Sequence, residues 1–297
     1  MRKRLIAGVI LAAAFLLMFP QFTVSQTTPG ITAVSYTLSD GTRLTGYLSI
    51  PPGYRQGERY PAILLIHGGR GVSRNSPRGL AEEYLKLKPH QEYLSRGYVV
   101  FSGEYYADHL GDSREFQSMT AALKTMAALP QIDPQRIAAV GASHGGYLAL
   151  MCMTHPDINP KPKIAASICG VVDVADWVKY VQTIKDKPGL LPGLREFALI
   201  KVPRAFGWPP DKDPETRGNF ARISVLSYVK NLESPILVIH GDGDTVVPIT
   251  QARMLREALQ QEKKNYEFFE VHNGGHFIFQ NDNSVWEKIE AFLKKYL

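Results

Sequence analysis

Cysteine is nearly missing from this chain, with only Cys152 and Cys169 among 297 residues. A disulfide scaffold is excluded by that count, and so are zinc motifs built from paired cysteines. Both cysteines lie in apolar stretches and read as buried free thiols, a disulfide between them being the alternative. No H-E-x-x-H pair occurs, so nothing points to a metal or another cofactor. Charge of one sign is also scarce. The net charge is +6, and Arg2, Lys3 and Arg4 supply three of those charges. The +3 that remains is too weak to argue for nucleic acid or a membrane surface. No internal repeat is visible, and the composition excludes disordered and fibrous classes.

Long apolar runs are lacking too, apart from one. Met1 to Arg4 is a basic cluster, Leu5 to Phe19 is apolar throughout, and Pro20 to Gln26 turns polar. That three-part layout is that of a secretory signal peptide, residues 1–25, with Thr23 and Ser25 suiting cleavage before Gln26. The run of 15 residues falls short of the roughly 20 that cross a bilayer. An uncleaved membrane anchor over residues 5–19 is the alternative. No cysteine follows the run, so a lipoprotein is not indicated. Either way the body of the protein is exported, to the periplasm or the outside.

Beyond residue 30 the chain alternates short apolar strands with helices. Ile31–Ser39 and Arg43–Ile50 read as strands joined at Asp40-Gly41, a dipeptide suited to hairpin turns. Ile63–His67, Tyr98–Ser102, Arg136–Val140, Ile164–Cys169, Pro235–His240 and Tyr266–Val271 complete a set of eight. Residues 81–96 suit a helix broken by Pro89. Ser113–Leu129 carries Phe116, Met119, Leu123, Met126 and Ala127 on one face, and helices are expected at Thr250–Gln261 and Asp282–Tyr296. This alternation predicts an α/β fold, a mostly parallel eight-stranded sheet with helices on both faces, spanning residues 31–297. Residues 174–233 interrupt it. A segment that long, rich in proline and carrying Trp177 and Trp208, is seldom a bare loop. It reads as a small helical cap over the strand ends, where open α/β sheets bind ligands.

The chemistry gathers at three strand ends. G-A-S-H-G places Gly141, Ser143 and Gly145 in a G-x-S-x-G turn between a buried strand and an apolar helix. Such a turn lifts one hydroxyl off the strand end, and a Cβ at either glycine would clash. A serine is a poor nucleophile until a base takes its proton, and the base needs an orienting carboxylate. H-G-D-G-D-T-V-V-P supplies Asp242 and Asp244; H-N-G-G-H-F supplies His272 and His276. His276 is favoured because Gly274 and Gly275 let its backbone turn, and Asp244 because it lies deeper in its loop. Asp242 then holds its own turn and His272 bonds locally. The oxyanion donors expected are the amides of His144, which follows the nucleophile, and of Gly69 in the H-G-G turn. His67 and His240 read as ordering the loops, His144 as an exposed ring, and His90, His109 and His155 as solvent-facing or helix-end residues.

Five separated segments resemble a known family: Val34 to Pro52, I-H-G-G, I-D-P-Q-R-I-A-A-V-G-A-S-H-G-G-Y-L-A-L, S-Y-V-K-N-L-E-S-P-I-L-V-I-H-G-D-G-D-T-V-V-P, and G-G-H-F. Together they are similar to the catalytic domain of the prolyl oligopeptidase family of serine peptidases. The resemblance implies an α/β-hydrolase fold with Ser143, Asp244 and His276 as nucleophile, acid and base, and Gly69 and His144 at the oxyanion hole. Members usually carry a β-propeller ahead of this domain, and there is no room for one between the expected cleavage site and the first strand. Many members also place a tyrosine where His67 stands. His67 fits those members, and related esterases and dienelactone hydrolases, that use backbone amides. Glu104 to Tyr106 lack the arginine common after the fourth strand.

The expected activity is therefore an exported serine hydrolase acting by acyl transfer on a small ester or a short peptide, with esters favoured. Tyr105, Tyr106 and Trp177 are the candidate substrate-binding side chains. A non-catalytic binding module and a cap-gated lipase are the alternatives, each separable by its reaction with a fluorophosphonate probe or by interfacial activation.

Overall fold

A computed structural model of the chain describes residues 24–28, 30–69, 71–73, 79–187 and 193–297. Residues 1–23 of the signal peptide expected at 1–25, and with them the alternative anchor at 5–19, lie outside the described residues, as do Pro188 and Pro192 of the insertion. No helix among the described residues is long and apolar enough to cross a membrane.

One nine-stranded sheet organises the chain, with spatial order β1-β2-β3-β5-β4-β6-β7-β8-β9. The strands are β1 (Val24–Thr28), β2 (Ile31–Thr37), β3 (Arg43–Ser49), β4 (Tyr60–Ile66), β5 (Val99–Gly103), β6 (Ile132–Ala142), β7 (Ile164–Ile168), β8 (Ile236–Gly241) and β9 (Tyr266–Val271). From β5 through β4 and on to β9 every neighbouring pair is parallel. β1, β2 and β3 pair antiparallel at one edge. All eight expected strands are present. The ninth, β1, is added by V-S-Q-T-T, a segment with no apolar alternation to announce it. It pairs Val24 with Val34 and Ser25 with Ala33, so cleavage before Gln26 would remove two of its five residues.

The strands are short and apolar because both faces of the sheet are covered. Side chains alternate along β4, sending Leu64 and Ile66 into one cluster and Ile63 and Leu65 into the other. The helices are α1 (Ala81–Tyr84), α2 (Lys88–Ser95), α3 (Ser113–Ala128), α4 (His144–Thr154), α5 (Val174–Ile184), α6 (Leu194–Glu196), α7 (Val202–Phe206), α8 (Pro214–Arg222), α9 (Thr250–Gln261), α10 (Ile278–Asn281) and α11 (Asn283–Tyr296). The proline in the 81–96 stretch does divide it, and Pro89 sits in the first turn of α2, where its missing N–H is harmless. The Asp112 side chain caps α3 by accepting from the Arg114 amide. α4 lies in the middle of the larger cluster with all eleven residues buried, which is why it reads as apolar all round. α11 closes the other face with Val285, Trp286, Ile289, Phe292 and Leu293. Each such side chain stabilises the fold by about 1.5–3 kcal/mol on burial.

The described residues of the 174–233 insertion are largely helical. They comprise α5 to α8, a π-helical turn at Phe197–Lys201 and a 3₁₀ stretch at Val225–Asn231. Two contacts tie α5 to the loop after β8, with Trp177 Nε1 donating to Val246 O at 3.1 Å and Tyr180 Oη to Thr245 O at 2.9 Å.

Candidate active site

The turn between β6 and α4 is as tight as its glycines require. A Cβ on Gly141 would stand 2.2 Å from Gly145 O, and one on Gly145 would stand 2.1 Å from Ile66 O. Ser143 at the apex has φ 57° and ψ −121°, a region that L-residues rarely occupy. Its amide is fixed by a 2.8 Å bond to Ile168 O, and α4 begins directly beneath it.

Two other loops reach this apex. The loop after β8 presents Asp244, and the loop after β9 presents His276. They clasp each other: a Cβ on Gly241 would meet Gly274 O at 2.1 Å, and Gly243 N donates to the same carbonyl at 2.9 Å. His276 Nε2 lies 2.9 Å from Ser143 Oγ and its Nδ1 lies 2.7 Å from Asp244 Oδ2. The His276 side chain is 6 % exposed and that of Asp244 0 %, so the link between them is shielded from water. Burial alone would raise the Asp244 carboxyl pKa. The imidazoles of His240 and His276 beside it outweigh that and hold the group well below the usual carboxylate range. Its other oxygen, Oδ1, accepts from the amides of Val246 at 2.8 Å and Val247 at 2.9 Å.

His240, at the end of β8, donates from Nε2 to Val247 O at 2.8 Å, and the same atom stands 3.5 Å from Asp244 Oδ2. The thiol of Cys169 also lies against Asp244, and burial first, then that carboxylate, push its pKa well above the ordinary thiol value. Cys169, His240 and Asp244 hold donor atoms within 4.8 Å of one another. The carboxylate oxygens there are already committed to Val246, Val247 and His276, so a cation would have to displace those bonds. Both cysteines are free and buried, and burial pushes the Cys152 thiol up to about 12.

The competing pair is elsewhere. Asp242 Oδ2 meets His272 Nδ1 at 2.9 Å and Asp242 Oδ1 accepts from the Asn273 amide at 2.6 Å. The His272 side chain is 85 % exposed, and the pair makes a local surface brace. Gly69, at φ +74°, lies in the loop after β4. Its N–H has no backbone partner among the described residues. The His144 amide is a first-turn donor of α4 that no helical carbonyl can reach.

Several expectations are corrected by burial. Tyr105 is fully buried beneath the Gly69 loop, its hydroxyl donating to His67 O at 3.1 Å, so it cannot wall a substrate pocket. Tyr106 is 6 % exposed, with its hydroxyl on Asp108 and the Arg114 guanidinium 3.7 Å over its ring. Trp177 is 3 % exposed and braces the acid loop through Val246. The His144 ring, expected to be exposed, is buried between Gly69 O at 3.0 Å and Glu115 Oε1 at 2.7 Å. His90 and His155 are buried as well, His90 on Ser49 Oγ at 2.9 Å and His155 against Phe116. An open groove of about 470 Å³ runs from Gly275 to Asn283 beside the imidazole, and Phe277 on its wall is 46 % exposed.

Residues 101–297 match the model of the prolyl oligopeptidase family, about two thirds of the chain. The chain belongs to the prolyl oligopeptidase family. Its fold is that of the α/β-hydrolases, and the relatives it matches include peptidases. It is 24% identical over 260 residues to dipeptidyl-peptidase 5 of Porphyromonas gingivalis, an alignment covering 83% of this chain and 35% of that protein. The chain therefore spans about a third of the length of such family relatives. It is 26% identical over 257 residues to the uncharacterized peptidase YtmA of Bacillus subtilis, covering 83% of this chain and 86% of that one. Among solved structures, esterase 2 of Thermogutta terrifontis superposes with a TM-score of 0.64 at 20% identity, over 92% of this chain and 95% of its own. That likeness is one of fold.

Proposed function

We propose that this chain is an exported serine hydrolase in which Ser143 attacks an ester or short-peptide carbonyl. His276 is the base, Asp244 the orienting acid, and the amides of Gly69 and His144 the oxyanion donors. The observation that carries the reading is a single imidazole in contact with both a strained serine hydroxyl at 2.9 Å and a buried carboxylate at 2.7 Å.

The steps follow from which atoms can give and take protons. Asp244 accepts His276 Nδ1–H, which leaves Nε2 free to accept from Ser143 Oγ. As Oγ bonds to the carbonyl carbon, its proton passes to Nε2, and the nearby carboxylate stabilises the imidazolium. Negative charge collects on the former carbonyl oxygen, where two backbone N–H groups and the positive end of α4 meet it without reorganising. Nε2–H then protonates the departing alcohol or amine. Water repeats the cycle on the acyl-serine and frees the acid. The groove beside Phe277 lies on the imidazole side and leaves room for the leaving group, and the 174–233 insertion, tied to the loop after β8, serves as a cap.

Carboxylic esters are the favoured substrates, a reading supported by a Thermogutta esterase whose whole chain shares this fold. Peptide amides are supported in turn by the dipeptidyl-peptidase relative. Export rests on the basic cluster and apolar run at residues 1–19. A hydrolysis panel of acyl-chain p-nitrophenyl esters and aminoacyl p-nitroanilides, run on the native chain and on Ser143→Ala, tests the reading. The native chain should turn over the esters and take one equivalent of a fluorophosphonate probe. Turnover or labelling persisting in Ser143→Ala would overturn it.

A further inference from the structure

The mechanism above uses the backbone of Gly69 and His144 but leaves two buried acids next to them without a role. Glu115, on α3, is fully buried, and Glu104, just after β5, is 6 % exposed. Glu115 Oε1 lies 2.7 Å from His144 Nε2, while its Oε2 accepts from Gly111 N at 2.9 Å. On the far side of the ring, His144 Nδ1 lies 3.0 Å from Gly69 O. A carbonyl can only accept, so Nδ1 carries a proton. At 2.7 Å a further proton must lie between Nε2 and the carboxyl, since two bare acceptors would repel.

The second acid repeats the pattern one residue earlier. His67 Nδ1 donates to Gly68 O at 3.0 Å, and its Nε2 faces Glu104 Oε2 at 3.4 Å, both atoms buried and without a formed hydrogen bond. Tyr105 fills the space between the two rings, stacked on His67 with centroids 4.3 Å apart and edge-on to His144 at 5.1 Å. The loop is held from outside at every peptide. Tyr105 Oη grips His67 O, Tyr84 Oη accepts from Gly68 N at 2.7 Å, and the two imidazoles take Gly68 O and Gly69 O. In a trans peptide the N–H points opposite to the C=O, so fixing Gly68 O fixes the direction of Gly69 N–H. Fixing Gly69 O then sets the other side of the same glycine, whose φ of +74° gives no conformational resistance of its own.

We infer that Glu115 and Glu104 are positioning residues that aim the oxyanion hole, each acting through a histidine on one carbonyl of the Gly68–Gly69 turn. Glu115, with the formed bond, is the stronger of the two. It ties the nucleophile's own neighbour to the opposite loop, so that both oxyanion amides are set by one rigid unit. The inference rests on the proposed acyl-transfer reading, and its test separates the two.

The experiment compares Glu115→Leu, Glu115→Gln and Ser143→Ala with the native chain, using p-nitrophenyl acetate and a trifluoromethyl ketone, which adds Ser143 to form an oxyanion. Leucine removes the partner of His144 Nε2 and leaves the ring held only by its Gly69 bond and the packing of Tyr105. Glutamine can donate its amide N–H to Nε2 and still accept from Gly111. Removing an oxyanion donor costs about 100- to 1,000-fold in turnover, and misaiming one costs less, about 30-fold. Glu115→Leu should therefore lose about 30-fold in kcat with KM within about threefold, and should bind the ketone weaker by a similar factor. Glu115→Gln should restore most of both. In proton NMR, the His144 Nδ1–H should be downfield and slow to exchange in the native and glutamine forms, and lost in the leucine form. Should Glu115→Leu not fold, Glu115→Asp, which withdraws the acid by one methylene, takes its place with the same expected losses. Native kcat and ketone affinity in a folded Glu115→Leu, or an equal loss in the glutamine form, overturn the inference while leaving the triad intact. Activity in Ser143→Ala overturns the hydrolase reading beneath it.

Discussion

Asp244→Asn separates geometry from proton logic at the site. The substitution is isosteric, so it leaves the loop packing untouched and changes only what the side chain can accept. The native carboxylate takes Val246 N and Val247 N on Oδ1 and His276 Nδ1 on Oδ2. An asparagine must turn its oxygen to one side. Facing it toward the two backbone amides keeps two bonds and points the NH₂ at His276. The reverse orientation leaves two buried N–H groups unpaired at about 1–3 kcal/mol each, so the first wins. With an N–H donor against it, Nδ1 must become the acceptor, and the ring proton moves to Nε2. A ring protonated there cannot take the Ser143 proton. Turnover should fall about ten-thousand-fold, or ~5.5 kcal/mol in activation free energy. The assay is kcat for p-nitrophenyl acetate, with the melting temperature as a check on folding. A folded Asp244→Asn within tenfold of native turnover would refute the assignment of the acid. pH gives a second readout. The folded pKa of Asp244 is depressed, so its ionisation stabilises the native state above the unfolded value of about 3.9 and that stabilisation is lost as pH falls below it. Thermal melts of native and Asp244→Asn should accordingly keep a constant gap from neutral down to about pH 4 and close it as the pH falls further, and a gap that stays constant well below about pH 4 would contradict the shift.

The other predictions concern packing and the competing residues. Gly145→Ala should fail to fold or melt far below native, because its methyl would stand 2.1 Å from Ile66 O, and a near-native melting temperature would contradict the packing of the turn. His272→Ala should keep kcat within about twofold, since the ring is a surface brace, and a large loss would move the base to that residue. Both thiols should be silent to Ellman's reagent in the native protein and react after denaturation, because burial raises the pKa of each. Rapid labelling of the folded chain would show that one of them is open to solvent.

What could be read from the sequence is what local sterics and strand order determine. Gly141 and Gly145 announce a turn that only glycine allows, and the apolar runs around it give strand and helix. Asp244 and His276 stand in loops right after strands, where a parallel sheet delivers its loops to one edge. Position within the loop was the reason for preferring each over Asp242 and His272, and it is Asp244 and His276 that lie in line with Ser143. β1 was hidden because V-S-Q-T-T has no alternation, and it is held by pairing with β2 rather than by its own pattern. Glu115 was hidden for a different reason. It sits beside Phe116 on a helix whose apolar face was plain, and a glutamate there reads as solvated. Only the three-dimensional meeting with His144 shows why it is buried. Tyr105, Tyr106 and Trp177 misled in the same way, since aromatic residues near a site support loops as readily as they meet ligands.

The clasp between Gly241, Gly243 and Gly274 has a consequence for any attempt to remodel this chain. A side chain introduced on one strand tip would wedge the other away, so the two loops are not separable modules. A graft that exchanges the aspartate segment for that of a relative must bring the matching histidine segment with it, or the hybrid will carry the serine, the aspartate and the histidine and hold them out of register.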